Sequence, residues 1–356
     1  MRNGRLPPHP SPPRAQSRRR LLLAGASAAL LPLAPSLRAQ SPVALPYPQR
    51  PEVRAFIDEL VQRHGLDRGF VERTFAQARY SPQAERLTTP STQPAAARNW
   101  TDYRTRNVDE LRVREGVQFM RDLRPALARA TERFGVPADI VAGIIGIETV
   151  FGRNTGSFRT IDVLLTLSFD YTRRAPMYRE ELAHFLLLCQ QEGTDPLQAR
   201  GSFAGAVGLP QFMPGSIRRW AVDFDGDGRV DLMRSREDAA GSVASFLAAH
   251  GWQRDLPVQF RARASADAAA ALGGGIEALA RWQDVAALGV TIDGTLDPDT
   301  RVLLLDLPFR SATGEAGIEY RVGTVNMQAL LHYNRSYFYG AAVADLAGAI
   351  RLRASA

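Results

Sequence analysis

The chain has 356 residues, 45% of them hydrophobic and 23% charged, enough for one large domain or two modest ones with a sizeable core. Its formal net charge of +7 resides at the N-terminus, where Arg2, Arg5, Arg14, Arg18, Arg19, Arg20 and Arg38 precede Gln40 without an acid; the remainder carries 37 residues of each sign. A formally neutral body excludes nucleic-acid binding driven by bulk charge, and the single cysteine, Cys189, excludes an internal disulfide.

Residues 1–39 read as an export signal. Ser17-Arg18-Arg19-Arg20 lead into an apolar run that Pro32 and Pro35 interrupt and that closes on Ala39, a pattern suited to the twin-arginine route and a periplasmic destination. The run is short for a bilayer and no later stretch is long and apolar enough, so no transmembrane span is expected in the mature chain. Residues 40–51, rich in proline, read as a flexible linker. Residues 52–134 read as an N-terminal helical part. It has short helices near Val53 to His64 and Asp67 to Gln77, a loop from Thr88 to Arg98, and helices from Asn107 to Leu123 and Pro125 to Phe134.

Within residues 135–257, the stretch VPADIVAGIIGIETVFG, Val136 to Gly152, carries apolar side chains on nearly every face. Pro137 suits the first turn of a helix and Gly152 its stop, and a helix apolar all round is buried. Glu148 breaks the pattern. Burial and the negative end of the helix both disfavour its charged form, so its pKa is expected to rise and the acid to keep a proton near neutral pH. The alternative is a structural ion pair with an arginine. Helices near Ile161 to Tyr171 and Met177 to Glu192 follow, the second holding Cys189 among leucines as a small core residue. GSFAGAVGLPQFMPGSI, Gly201 to Ile217, has the glycine and proline content of a loop that passes close to something, and Gln211 offers it an amide suited to sugar hydroxyls.

Asp223, Asp225 and Asp227, with Gly226 and Gly228, match the first half of the EF-hand pattern, in which alternate oxygens face a hard cation. The twelfth position is Arg234 rather than glutamate, which leaves Asp238, or Glu237, to close the loop at the start of the next helix. Structural calcium is therefore expected, the alternative being a turn held by Asx hydrogen bonds. Residues 258–322 shift to short apolar runs between DG and DPD turns and read as a small strand-containing insertion, with Ser265 to Gly275 a surface segment. Residues 323–356 return to helix over Asn326 to Ile350, with Tyr333, Asn334 and Tyr339 at its centre.

Six blocks, GIIGIETVFG, LLTLSFDYTRRA, GSFAGAVGLPQFMPGS, AVDFDGDGRVDL, GSVASFLAAHGW and HYNRSYFY, occur in the order and at about the spacing seen in the B-type lytic murein transglycosylases, which the chain resembles over roughly residues 50 to 350. The resemblance implies a mainly α fold of the α+β kind: a lysozyme-like catalytic core with an N-terminal helical part and a small β-containing insertion. It implies cleavage of the β-1,4 bond between N-acetylmuramic acid and N-acetylglucosamine in peptidoglycan, with a 1,6-anhydromuramyl product and no organic cofactor. Glu148 falls on the family's catalytic acid. Arg173, Arg174, Ser202, Phe203, Gln211, Tyr333, Asn334 and Tyr339 fall on positions that line its glycan groove. Asp223, Asp225, Asp227 and Asp238 fall on its calcium loop, with Arg229 contributing a backbone carbonyl. The expected partners are peptidoglycan glycan strands and cell-wall machinery proteins. A hydrolytic muramidase and a non-catalytic peptidoglycan-binding scaffold are the rival readings.

Overall fold

A computed structural model describes residues 45–89, 99–277 and 279–356. The expected export signal lies outside the described residues, and so does the start of the expected linker. The described part of that linker is not a free tether. Tyr47–Gln49 forms a 3-10 turn, Tyr47 is buried, and its hydroxyl donates to Asp170 Oδ2 at 2.7 Å while Arg50 pairs with Asp170 Oδ1 at 2.7 Å. Proline content predicted a spacer; a buried aromatic and a paired arginine dock it instead.

Two helical cores are built from amphipathic or fully apolar segments. In the first, α1 (Pro51–His64) and α2 (Arg68–Gln77) bury Val53, Ile57, Leu60 and Phe75 against α8 (Thr160–Phe169) and α9 (Ala175–Glu192). The short α3 (Pro82–Thr88), capped by Ser81, lies on α8 and was not visible in the sequence. Cys189 of α9 is buried in this core, and burial pushes its thiol up to about 11, as suits an inert packing residue.

The second core surrounds α7 (Ala138–Thr149). Helices α5 (Glu110–Asp122), α6 (Arg124–Phe134), α11 (Arg236–Ala249) and α15 (Tyr337–Ser355) pack around it, and Val141, Ile144 and Ile145 are wholly enclosed. Each such side chain contributes about 2 kcal/mol through burial. Gly143 sets the approach of α15, because a Cβ there would lie 2.9 Å from Val343 O. Helix α5 begins at Glu110 rather than Asn107, since Asp109 caps it by accepting from Arg112 N, and the preceding residues form a separate α4 (Trp100–Asn107).

The remaining β structure is a two-stranded ladder, β1 (Phe158–Arg159) with β2 (Arg200–Gly201), and a five-stranded antiparallel sheet. The sheet comprises β3 (Gln259–Arg263), β4 (Ala280–Arg281), β5 (Thr291–Ile292), β6 (Arg301–Arg310) and β7 (Ala316–Thr324), in the order β4-β6-β7-β3-β5. The unbroken run RVLLLDL in β6 follows from cover on both faces. Val302 and Leu304 meet Ala268 and Val285 on one side, whereas Leu303 and Leu305 meet Met327 and Leu331 on the other. Ala268 belongs to α12 (Ala266–Leu272), a Ser265-capped helix where only a surface segment was expected. Arg321 of β7 is almost fully buried and pairs with Asp345 of α15 and Glu319, each at 2.6 Å, joining the sheet to the second core.

The expected helix from Asn326 to Ile350 is two helices. α14 (Val325–Tyr333) stops at Asn334, whose backbone is extended at φ −146° and ψ 118°, and α15 restarts after Ser336. The polar Asn334-Arg335-Ser336 triplet supplies the break, with Ser336 N bonded to Asn334 O at 2.7 Å.

Candidate active site

Helix α7 ends at Thr149, one residue beyond Glu148, and not at Gly152 as the glycine suggested. Val150 and Phe151 both adopt left-handed conformations, at φ 51° and φ 57°, uncommon for any residue with a Cβ and costly for a β-branched one. Phe151 is held there by packing on Phe119, with ring centroids 5.3 Å apart. Glu148 therefore occupies the last turn of a helix whose end is fixed by neighbouring packing.

Its carboxylate is half-buried and pairs with no arginine among the described residues. The partner is Tyr339 of α15, whose hydroxyl donates to Glu148 Oε1 at 2.8 Å. Burial pushes the Glu148 carboxyl up to about 7, partly offset by that hydrogen bond. Burial and the nearby Glu148 charge in turn hold the Tyr339 phenol well above its usual range, so it stays a donor. Asp162 and Asp170, the acids nearest in sequence after the helix, are committed elsewhere. Asp162 is bound by Arg159 Nε and Nη2 at 2.8 and 2.7 Å, and Asp170 by Tyr47 and Arg50.

Around this acid the structure brings together some of the expected residues. Tyr333 stacks on Tyr339 with centroids 6.2 Å apart and rings 16° from parallel, and its hydroxyl donates to Pro210 O. Gln211 follows in a left-handed conformation, φ 52°, with its Nε2 donating to Thr155 O and Gly208 O at 3.1 and 2.9 Å. Gly208 is required at φ 78°, because a Cβ there would lie 2.6 Å from Leu232 O. The other expected residues stand apart from the carboxylate in their bonding. Ser202 Oγ accepts from Ala204 N and Ala206 N and shapes its own turn, Phe203 is 39% exposed, Asn334 is exposed, and Arg173 and Arg174 lie exposed on the turn between α8 and α9. Sequence reading missed Tyr103 of α4, whose phenol is raised by burial and by Glu148, and which runs near-parallel to Trp100 and meets Phe338 edge-on. The unrecognised helix α4 hid it.

The chain matches the family described as Transglycosylase SLT domain over residues 48–348, nearly all of the described part. The chain belongs to the SLT-domain lytic transglycosylases. It is 37% identical over 313 residues, 86% of this chain and 84% of the relative, to the membrane-bound lytic murein transglycosylase B of Escherichia coli K12. Among solved structures it is similar to the catenated lytic transglycosylase SltB1 of Pseudomonas aeruginosa, at TM-score 0.80 and 38% identity over 86% of this chain and 99% of that one. It is also similar to Escherichia coli lytic transglycosylase Slt35 in complex with calcium, at 0.77 and 37% over 86% and 95%. A further likeness is to SltB3 of Pseudomonas aeruginosa in complex with NAG-anhNAM-pentapeptide, at 0.71 and 29% over 84% and 78%. The mainly helical, lysozyme-like fold with a small antiparallel sheet is thus the fold of a lytic murein transglycosylase, a peptidoglycan-degrading enzyme. No helix among the described residues is long and apolar enough to cross a membrane.

In this lytic transglycosylase the acidic loop between α10 (Pro214–Trp220) and α11 gathers three carboxylates. Asp223, Asp225 and Asp227 each offer an oxygen within 4.8 Å of the others. Asp223 accepts from Gly226 N and Gly228 N at 2.7 and 2.8 Å, and Asp227 accepts from Arg229 N at 2.9 Å, so backbone N–H groups partly neutralise the cluster. Asp238 is buried outside the cluster. Its oxygens accept from Phe224 N, Asp225 N and Asp231 N at 2.6, 3.2 and 2.8 Å, which ties the loop to α11. Glu237 turns away to Arg129 at 3.1 Å.

Proposed function

We propose that this lytic transglycosylase cleaves the β-1,4 bond between N-acetylmuramic acid and N-acetylglucosamine and closes a 1,6-anhydro ring on the muramyl product, with Glu148 as acid and then base. The observation that carries the reading is one half-buried carboxyl with its pKa at about 7, bonded by Tyr339, while Asp162 and Asp170 are consumed in other pairs. A glycosidase of the two-carboxylate kind needs a second acid across the bond. A single acid suffices when the sugar supplies its own nucleophile. Protonated Glu148 gives its proton to the glycosidic oxygen as the C1–O4 bond breaks, and the substrate's N-acetyl oxygen supports the positive charge at C1. The carboxylate so formed takes the proton of the C6 hydroxyl as O6 bonds to C1, leaving Glu148 protonated and consuming no water. The bound NAG-anhNAM-pentapeptide in SltB3 supports such a product.

In this scheme Tyr339 orients the acid. Tyr333, Gln211, Asn334, Ser202 and the exposed ring of Phe203 contact the glycan, and Arg173 and Arg174 meet the carboxylates of peptide stems. Asp223, Asp225 and Asp227, with the Arg229 carbonyl, would hold calcium, a hard cation that takes oxygen ligands and pins the loop. Asp238 completes that set only if its carboxylate exchanges a backbone N–H for the ion. The arginine-rich leader supports export to the periplasm by the twin-arginine route.

Digestion of purified sacculi, with products weighed by mass spectrometry, tests the reading. The expected muropeptides are lighter by one water than hydrolysis would give, and Glu148→Gln yields none of them. Products with reducing ends would make the enzyme a hydrolase, and activity retained in Glu148→Gln would remove the acid.

A further inference from the structure

Glu148 is held by its side chain and by the residue after it. Thr149 is wholly buried, and its hydroxyl donates to Leu209 O at 2.9 Å and accepts from Gly152 N at 3.0 Å. Leu209 cannot drift to follow it. Its own N–H is bonded to Leu232 O at 2.8 Å, and the following turn is locked by the Gln211 amide on Thr155 O and Gly208 O. The next carbonyl, Pro210 O, takes the Tyr333 hydroxyl; Tyr333 lies flat on Tyr339; and Tyr339 donates to Glu148 Oε1. These links form a closed ring that leaves Glu148 through its side chain and returns through its backbone neighbour. The left-handed residues Val150 and Phe151 would otherwise leave the helix end without its regular continuation.

We propose that Thr149 is a positioning residue for the acid, its hydroxyl fixing the end of α7 to the Leu209–Gln211 turn so that Tyr339 and the carboxylate meet in one geometry. Removing the hydroxyl orphans the buried Leu209 carbonyl and the Gly152 N–H and lets helix end and turn separate. The Tyr339 hydrogen bond then lengthens, and the carboxylate loses both its orientation and the one interaction that favours its charged form. The groups able to modulate that carboxylate are Tyr103 from α4, Tyr333 from α14 and Tyr339 from α15, with Arg112 from α5 donating to Gly146 O at 3.1 Å, two residues before it. None of them contacts Thr149 by a hydrogen bond among the described residues.

The test compares Thr149→Val, which keeps the shape and loses the hydroxyl, with Thr149→Ser, which keeps the hydroxyl. Rates on soluble glycan strands are measured across pH beside melting temperatures. Expected for Thr149→Val is a fall in kcat of about tenfold with KM nearly unchanged, as misorientation of a catalytic group gives. The alkaline limb of the pH profile should also rise by roughly half a pH unit or more, as loss of a hydrogen bond to the charged form requires. Thr149→Ser restores both. A Thr149→Val enzyme that melts lower yet keeps the wild-type limb and kcat, or a serine variant that rescues neither, overturns the proposal. Should Thr149→Val fail to fold, Thr149→Cys, a small apolar-like side chain with a weak donor, takes its place in the same comparison. The proposal rests on Glu148 being the acid, and the two fail separately. Activity in Glu148→Gln removes the acid itself, whereas an inactive Glu148→Gln beside an unaltered Thr149→Val removes only the role of Thr149.

Discussion

Replacing Glu148 by glutamine should stabilise the folded enzyme, and more so as the pH rises. The carboxyl binds its proton up to about pH 7 in the folded state but releases it near 4.5 when unfolded. Between those values the folded state holds more protons, so stability falls as pH increases through that window and levels off above it. Two and a half pH units at about 1.4 kcal/mol each make the ionised, half-buried carboxylate cost about 3.5 kcal/mol at high pH. Glutamine carries no charge to desolvate and keeps an oxygen to accept from Tyr339. From pH 5 to pH 9 the advantage of Glu148→Gln over wild type should widen by about 2.5 kcal/mol. With an unfolding entropy of roughly 0.6 kcal/mol/K for about 300 residues, that is a widening of about 4 °C in melting temperature. Differential scanning calorimetry at four or five pH values reads it directly. A difference that stays constant across the range would refute a raised pKa at Glu148, and an activity profile whose alkaline limb lay near pH 5 would do so independently.

Calcium should raise the melting temperature, and Asp223→Ala, which removes one of three converging carboxylates, should abolish that rise; a curve indifferent to calcium and chelator would count against a bound metal. Gly143→Ala should destabilise by about 1 to 3 kcal/mol, because its methyl meets the Val343 carbonyl at a packed helix crossing, and an unchanged denaturation midpoint would show that α15 moves aside freely. Asp170→Asn should cost about 1 to 3 kcal/mol and speed proteolytic cutting near residue 50, since it weakens bonds from both Tyr47 and Arg50; unaltered cutting would mean that packing of Tyr47 alone holds the segment.

How much could be read in advance depended on whether the governing interaction was local. The apolar pattern of α7 announced a buried helix, and one acid within it announced the unusual carboxyl, because both follow from neighbours a few residues apart. The aspartate spacing located the loop at residues 223–227 for the same reason. What stayed hidden depends on distant partners. Tyr47 docks on a residue 123 positions away, which no local composition reveals, and proline content pointed the other way. Tyr103 lies on a short helix held by distant partners, Trp100 packing with Leu307 and Ala342 and Arg104 pairing with Asp345. Gly152 looked like the stop of α7, yet packing of Phe151 ends the helix earlier, in backbone that local preference disfavours. Asn334, expected at the centre of one long helix, is the point at which two helices part.

The buried Arg321 has a consequence for how this protein can be re-engineered. Its guanidinium reaches from the sheet to Asp345, and that acid rides on the same helix as Tyr339, two turns further along. Excising the strands would leave that carboxylate with Arg104 of α4, at 2.7 Å, as its remaining cation, a more exposed partner than the enclosed Arg321. A minimal version of the enzyme would therefore rest the seat of Asp345 on the α4–α15 pair alone, whereas keeping the strands whole retains the two-pronged grip of Arg321.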